Sequence, residues 1–226
     1  VGAAVVGMIA RRAEALAAAT GRRIAVTAVS SRDRNRDRGL DLSGIAWFDD
    51  PTALARSAEV DCVVELIGGA EGPAKATVEA AIAAGKAVVT ANKALLAHHG
   101  GALAQAAEAR GVALAYEASA AGGIPVIKAI REGLAGNRIN WLAGIINGTG
   151  NFILTEMREK GRAFEDVLKE AQELGFAEAD PSFDIDGVDA AHKLSILAAL
   201  AFGAKVDFAR VATEGIRAVD SADIAH

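Results

Sequence analysis

The sequence predicts an α/β protein, with a doubly wound parallel sheet in the first half and an α+β domain after it. Short apolar runs alternate with helix-like segments up to about residue 123. These runs are apolar throughout rather than at every second residue, which is typical of parallel strands covered on both faces. After Gly123 the alternation ends, so we predict domains at 1–123 and 124–226.

The elements of the first half follow from local patterns. Residues 3–19 are Ala-rich with an apolar stripe, which predicts a helix, and the β-branched run 24–29 predicts a strand. Asp50-Pro51 is a typical helix start. The remaining predictions are strands at 60–67, 87–90 and 112–116, with helices from Pro73 to about residue 84 and at 102–110.

The second half has a different pattern, in which helices predominate. One long apolar run, residues 139–146, predicts a strand. The predicted helices are 124–134, 151–160, 164–174 and 188–202, with an acidic loop at 177–186.

Composition excludes several classes of protein. The net charge is −5, with both signs spread along the chain, so a nucleic-acid-binding face is not expected. Apolar stretches are too short for a membrane span. The lone cysteine, Cys62, excludes an internal disulfide; its apolar run predicts a buried thiol, and a reducing cytoplasm fits.

Neither end of the chain has the pattern of a natural terminus, so we expect it to be part of a longer protein. Gly2 directly opens the first predicted helix. A glycine there is what remains when a G-x-G-x-x-G dinucleotide loop is cut before its last glycine. Gly2 is therefore a candidate cofactor contact, although this residue alone favours the alternative, an ordinary glycine near a cut end.

Three strand-end segments are further candidates for a cofactor site. Arg32 and Arg34 follow the predicted strand 24–29, which corresponds to the second strand of a dinucleotide-binding fold; there arginine accommodates the extra phosphate of NADP and an acidic residue favours NAD. The alternative is a solvated charged loop. Ile67-Gly68 and Lys93 follow later strands, and ligands bind at the carboxyl ends of such strands. Lys93 could move a proton there, or it could be a surface lysine that begins a helix.

The acidic stretch after residue 177 is the most informative segment. Asp189 and Lys193 are four residues apart and share a helix face. The rest of that helix is apolar nearly all round and therefore predicted to be buried, and a buried charge is retained when it is paired or used. We interpret the pair as functional rather than as a solvated ion pair. The spacing of the carboxylates does not match an EF-hand.

Four segments, in order, resemble homoserine dehydrogenases over essentially the whole chain. They are ANKALL at 91–96, YEASAAGGIPVI at 116–127, IINGTGNFIL at 145–154, and the stretch from GFAEADP at 175–181 to Lys193. The resemblance implies a Rossmann-type cofactor domain and a substrate and dimerisation domain. It also implies NAD(P)-dependent interconversion of L-homoserine and L-aspartate 4-semialdehyde, a step of threonine and methionine synthesis.

The resemblance also implies roles for individual residues. Lys193 would be the proton donor and acceptor at the substrate oxygen, with Lys93 and Asp189 beside it as catalytic groups. The substrate would be held by Glu178, Asp184 and Asp189, with Glu178 binding the ammonium group of the substrate. Gly175 would contact the cofactor. A sodium ion would bind Glu117 and the carbonyl oxygens of Ala120, Gly122 and Ile124, which are hard ligands suited to a hard cation.

Further implications concern assembly. The family forms homodimers or homotetramers, and the 139–146 strand would suit a subunit interface. The parent protein could also carry a regulatory ACT domain or an aspartokinase. Two other functions stay open: another Rossmann semialdehyde reductase, and a non-catalytic NAD(P)-binding module, which would bind cofactor without turnover.

Overall fold

Helices and short parallel strands alternate in the first half of the protein, in a computed structural model that describes residues 1–225. Packing divides the chain into two units, one formed by Val1–Leu95 with Gly101–Tyr116, the other by Leu96–Gly100 with the residues from Glu117 onward. Each unit encloses its own cluster of buried apolar side chains.

The strands of the first unit pair only in parallel. β1 (Ala28–Ser30) pairs with β2 (Ala46–Phe48), and a second sheet has the order β3 (Cys62–Glu65), β4 (Ala87–Thr90), β5 (Leu114–Ala115). The helices that begin in this unit are α1 (Gly2–Arg11), α2 (Ala13–Thr20), α3 (Pro51–Arg56), α4 (Pro73–Ala83) and α5 (Lys93–Arg110).

Caps and core packing fix these elements. Asp50 caps α3 by accepting a 2.8 Å hydrogen bond from Thr52 N, as the Asp-Pro signal predicts. The core joins Val63 of β3 and Val88 of β4 to Val78 of α4 and Leu95 of α5. Burying such side chains stabilises the unit by roughly 1.5–3 kcal/mol each.

The second unit is built from helices throughout its described residues. They are α6 (Glu117–Ala120), α7 (Val126–Lys128) with a π-helical turn (Ala129–Gly133), α8 (Gly148–Lys160), α9 (Phe164–Glu173), α10 (Ser182–Ile185), α11 (Val188–Phe202), a 3-10 turn (Phe208–Arg210) and α12 (Ser221–Ala225). Ile153 and Met157 of α8 pack with Val167 of α9 and Ile185 of α10 in the core.

The strand predicted at residues 139–146 is wrong. The segment forms neither strand nor helix, and Trp141 and Ile145 are 76% and 82% exposed. A strand needs backbone donors and acceptors on a neighbour, and no extended segment among the described residues pairs with this one. An apolar run alone does not supply that neighbour.

The prediction of where α5 begins is also wrong, because the helix begins at Lys93 rather than near residue 102. Gly100 and Gly101 lie inside the continuous helix, and a Cβ on Gly100 would lie at an ordinary contact distance, 3.6 Å, from both Leu96 Cβ and Val206 Cγ2.

Three smaller predictions need correction. The helix predicted at 3–19 breaks at Arg12, and only Ala28–Ser30 of the predicted 24–29 run pairs as a strand. Cys62 is exposed rather than buried. Because strand residues alternate between faces, Val63 and Glu65 point into the core, whereas Cys62 and Val64 lie on the opposite face.

The helices in the described part of the chain all lack the combined length and hydrophobicity that a bilayer crossing requires.

The segment after the 3-10 turn packs tightly against the end of α10. Ile216 N donates a 2.8 Å hydrogen bond to Ile185 O, and Arg217 pairs with Asp186. A Cβ on Gly215 would lie 2.8 Å from Ile185 O and 3.0 Å from Asp186 Cα, both backbone atoms.

We therefore expect Gly215→Ala to destabilise the protein by roughly 1–3 kcal/mol, because backbone must move to admit the methyl group. The measurement is thermal unfolding beside Gly136→Ala, where a Cβ would meet nothing within 4 Å. Equal melting temperatures for both variants would contradict the packing described at residue 215.

Candidate functional site

The carboxyl ends of β3 and β4 lie side by side, because their register pairs Glu65 with Thr90. Glu65 Oε2 accepts a 2.5 Å hydrogen bond from the Thr90 hydroxyl. Glu65 Oε1 accepts from the backbone N–H groups of Ile67 and Gly68, at 2.7 and 3.0 Å. The loop that leaves β3 is thereby anchored to the end of β4.

Asn92 ties the next loop to the same edge. Its Nδ2 donates to Gly69 O at 2.7 Å, and its Oδ1 caps α5 by accepting from Leu95 N at 3.0 Å. Lys93, a predicted site residue, follows as the first residue of α5 and is half-buried. The first unit thus brings predicted residues Ile67, Gly68 and Lys93 to one sheet edge.

The other two predicted cofactor contacts of the first unit are solvent-accessible. Gly2 is the first residue of α1, and a Cβ there would meet nothing within 4 Å. Arg32 is exposed in the loop after β1. In the same loop, the guanidinium groups of Arg34 and Arg38 lie 5.8 and 5.7 Å from the Trp47 ring centroid, within cation–π range.

The predicted pair on α11 is present in the second unit. Lys193 Nζ donates hydrogen bonds of 2.7 Å to Asp189 Oδ2 and of 2.7 Å to Ile146 O. The side chains of Lys193 and Asp189 are 18% and 5% exposed, so the ion pair is largely withdrawn from water. The ammonium group is therefore held in a fixed position with part of it accessible.

Asn147, which precedes α8, connects this pair to a second carboxylate. Its Nδ2 donates to Asp184 Oδ1 at 2.8 Å and to Asp189 Oδ2 at 2.9 Å, while its Oδ1 accepts from Gly150 N and caps α8. The Thr149 hydroxyl makes a 2.9 Å hydrogen bond to Asp184 Oδ2. The carboxylates of α10 and α11 are thus held together by donors from α8.

Two other acidic residues of the stretch, Asp180 and Asp186, have structural partners. Hydrogen bonds from Ser182 lower the pKa of Asp180. The guanidinium of Arg217, hydrogen-bonded to Asp186 Oδ1 at 2.5 Å, lowers the pKa of Asp186. The stretch therefore divides into loop carboxylates that stabilise local structure and the inward pair Asp184 and Asp189.

Glu178 and Gly175 lie on the segment between α9 and α10. The Glu178 side chain is exposed and makes no hydrogen bond to residues 1–225, which suits a group that binds a ligand's ammonium. Gly175 follows α9 at φ +75°, and a Cβ there would meet nothing within 4 Å. Neither residue contacts the Lys193 network directly.

The oxygen atoms predicted to bind a cation surround the turn between α6 and α7. Glu117 accepts hydrogen bonds from Ile127 N at 2.9 Å and Lys128 N at 3.0 Å, so its carboxylate caps α7. The Ile124 carbonyl accepts from Val126 N at 2.8 Å. Ala120 is buried, whereas Gly122 lies exposed in the turn.

Sequence reasoning missed the residues that organise both groups. Glu65 and Thr90 end apolar runs, and a carboxylate closing such a run was an available signal. Asn147 lies in the segment 145–154 that resembles the family, but its position as the cap of α8 does not predict that it binds two carboxylates. Those contacts span 37 and 42 residues of sequence.

Comparison with known families covers nearly the whole chain. Residues 1–117 match the family model "Homoserine dehydrogenase, NAD binding domain", and residues 125–226 match "Homoserine dehydrogenase". The homoserine dehydrogenase of Pseudomonas aeruginosa is 55% identical over 226 residues, which are 99% of this chain and 51% of that protein.

Solved structures of homoserine dehydrogenases also superpose on this chain. A homoserine dehydrogenase from Thiobacillus denitrificans superposes with a TM-score of 0.93 at 53% identity, over 99% of this chain and 51% of that one. A hyperthermophilic archaeal homoserine dehydrogenase in complex with NADPH gives a TM-score of 0.82 at 27% identity, over 98% of this chain and 72% of that one.

The chain thus spans about half the length of the first two of these relatives. The matches confirm the predicted α/β fold with its cofactor-binding domain. Because the first family model alone covers 117 of 226 residues and the second covers residues 125–226, the chain belongs to the homoserine dehydrogenase family.

Proposed function

We propose that the full-length protein interconverts L-homoserine and L-aspartate 4-semialdehyde with NAD(P), as part of threonine and methionine synthesis in the cytoplasm. The observation that carries the proposal is the position of Lys193, whose ammonium is held by Asp189 and by a backbone carbonyl. Family membership supplies the reaction, and this geometry supplies its proton-transfer group.

The reaction needs a proton at one oxygen and a hydride at the neighbouring carbon. The nicotinamide cofactor, when bound, supplies or accepts the hydride. In the reductive direction Lys193 donates a proton to the aldehyde oxygen, and in the oxidative direction it accepts the hydroxyl proton of homoserine. Asp189 holds Lys193 in place, and Asp184 supports Asn147 and Thr149 beside it.

Substrate binding is assigned to carboxylates. The Glu178 side chain is exposed and makes no hydrogen bond within residues 1–225, so it is suited to bind the substrate ammonium group. Lys93 begins α5 at the sheet edge, where we propose that the nicotinamide lies and where Lys93 is the second lysine of the site.

The cofactor-binding residues fit a nicotinamide dinucleotide. Gly68 has φ +87° and nothing within 4 Å of where a Cβ would be, so a flat ring can approach the loop backbone. Gly2 begins a helix whose first N–H groups suit a pyrophosphate. We assign Gly175 to the same ligand, on the basis of the family resemblance.

We propose a preference for NADP over NAD. Arg32, Arg34 and Arg38 lie in the loop after β1, where Rossmann folds place the adenosine ribose. Stacking of Arg34 and Arg38 with Trp47 restricts two guanidinium groups, which reduces the entropy lost on binding a phosphate. The ratio of kcat/KM with NADP to that with NAD measures this preference.

Two further proposals concern a cation and assembly. Sodium bound by Glu117 and the carbonyls of Ala120, Gly122 and Ile124 would order the turn that Glu117 already caps. A homodimer or homotetramer is supported by residues 139–146, whose exposed Trp141 and Ile145 form an apolar surface suited to a subunit contact.

Two alternatives have less support. A semialdehyde dehydrogenase that uses a cysteine nucleophile does not fit, because Cys62 is the only cysteine and the pKa of its thiol is raised by desolvation and by Asp61. A non-catalytic cofactor-binding module would not explain why the Lys193 ammonium is held in a largely buried position by Asp189 and the Ile146 carbonyl.

Replacing Lys193 with alanine tests the proposed function. We expect kcat to fall roughly 10²–10⁴-fold, the usual contribution of general acid–base catalysis, with a much smaller change in the Kd for homoserine. Steady-state kinetics and calorimetric binding measure the two effects. Lys169→Ala, at an exposed position on α9, is the control, and a Lys193→Ala enzyme with unchanged kcat would refute the assignment.

Replacing Asn147 with aspartate tests the bridge between the carboxylates. Aspartate caps a helix as well as asparagine does, so α8 should survive. The new carboxylate offers no donor to Asp184 or Asp189 and repels both, so we expect kcat/KM to fall at least about tenfold.

Circular dichroism and kinetics separate those effects, and Asn137→Asp, in an exposed turn, is the control. Activity of Asn147→Asp within twofold of the parent's, a margin of about 0.4 kcal/mol, would show that the bridge does not position the site.

A further inference from the structure

Glu65 is a buried carboxylate that the proposed mechanism does not use. The residue is 1% exposed, at the end of β3. Burying a charged group costs free energy unless hydrogen bonds compensate, whereas a carboxylate on the surface is solvated by water. A buried carboxylate at a ligand-binding sheet edge therefore calls for a specific explanation.

The partners of Glu65 are all hydrogen-bond donors without a formal charge. They are the backbone N–H groups of Ile67 and Gly68 and the hydroxyl of Thr90, which is itself a hydrogen-bond acceptor for Asn92 N. This donor set suits an ionised carboxylate. No lysine or arginine within residues 1–225 forms an ion pair with it, so its partners are dipoles rather than a cation.

The loop that Glu65 anchors is the one assigned to the nicotinamide. Since the N–H groups of Ile67 and Gly68 are bound to Glu65, this loop offers a ligand the half-exposed Ile67 side chain, open space beside Gly68, and carbonyl oxygens. A ring resting there would contact the backbone of Ile67 and Gly68, whose N–H groups bind the carboxylate at 2.7 and 3.0 Å.

We propose that Glu65 positions this loop and, through its charge, makes the site bind the oxidised cofactor more tightly than it otherwise would. The inference rests on the proposed function, since it needs a nicotinamide at this edge. The oxidised ring carries a positive charge and the reduced ring is neutral, so a fixed negative charge nearby stabilises only the oxidised form. At several ångströms in a partly wet site, one charge changes a binding constant roughly threefold to thirtyfold.

Glu65→Gln separates charge from position. The amide keeps the shape of the side chain: its oxygen can accept from Ile67 N and Gly68 N, and its NH2 group can donate to Thr90 Oγ1. Glu65→Ala, in contrast, removes the anchor as well as the charge. Glu108→Gln, on the exposed surface of α5, removes the same unit of charge away from the loop.

The experiment is a fluorescence titration of the full-length parent and its three variants with oxidised and with reduced cofactor. We expect Glu65→Gln to raise the Kd of the oxidised form at least about threefold and to leave that of the reduced form within twofold. Glu65→Ala should raise the Kd of both forms, and Glu108→Gln should change the Kd of neither.

Three results would overturn the inference in distinguishable ways. Equal weakening of both forms by Glu65→Gln would show that Glu65 only positions the loop. Unchanged affinities in both Glu65 variants would show that neither the charge nor the anchor matters. A parent that binds neither form of the cofactor would refute the proposed function, and this inference with it.

Discussion

The need to satisfy buried carboxylates organises both halves of this molecule. Glu65, Asp184 and Asp189 are withdrawn from water to different degrees, and each obtains donors from elements other than its own. Leaving such a group without donors costs more than a typical hydrogen bond gains, so the donors and carboxylates must come together as the chain folds. The contacts that satisfy these carboxylates therefore also bring the residues of the candidate site together.

Each unit meets this need with a different device. In the first, parallel register sets Glu65 beside Thr90, and two loops fold back on them through backbone N–H groups. In the second, helix geometry sets Lys193 one turn from Asp189, and the amide of Asn147 binds carboxylates from two helices while it caps a third. The first device fixes the loop at the end of β3, where we propose that a flat cofactor binds; the second fixes the Lys193 ammonium group, which we propose transfers the proton.

Sequence patterns predict the parts of this design that depend on local spacing. The Asp189–Lys193 pair follows from a four-residue interval, and the parallel strand pairing from the alternation of apolar runs and helices. The Asn147 contacts depend on residues about forty positions away, which no local pattern encodes. Residues 139–146 show the converse, since their apolar pattern is that of a strand although no strand within residues 1–225 pairs with them.

We propose that this chain carries the cofactor edge and the proton-transfer group of a homoserine-oxidising enzyme. The most direct measurement is the absorbance of reduced nicotinamide when the full-length parent is mixed with L-homoserine, oxidised cofactor and sodium. The account predicts an absorbance increase that requires both homoserine and cofactor and is faster with NADP than with NAD. Cofactor binding without any homoserine-dependent increase would contradict it and favour a non-catalytic binding module.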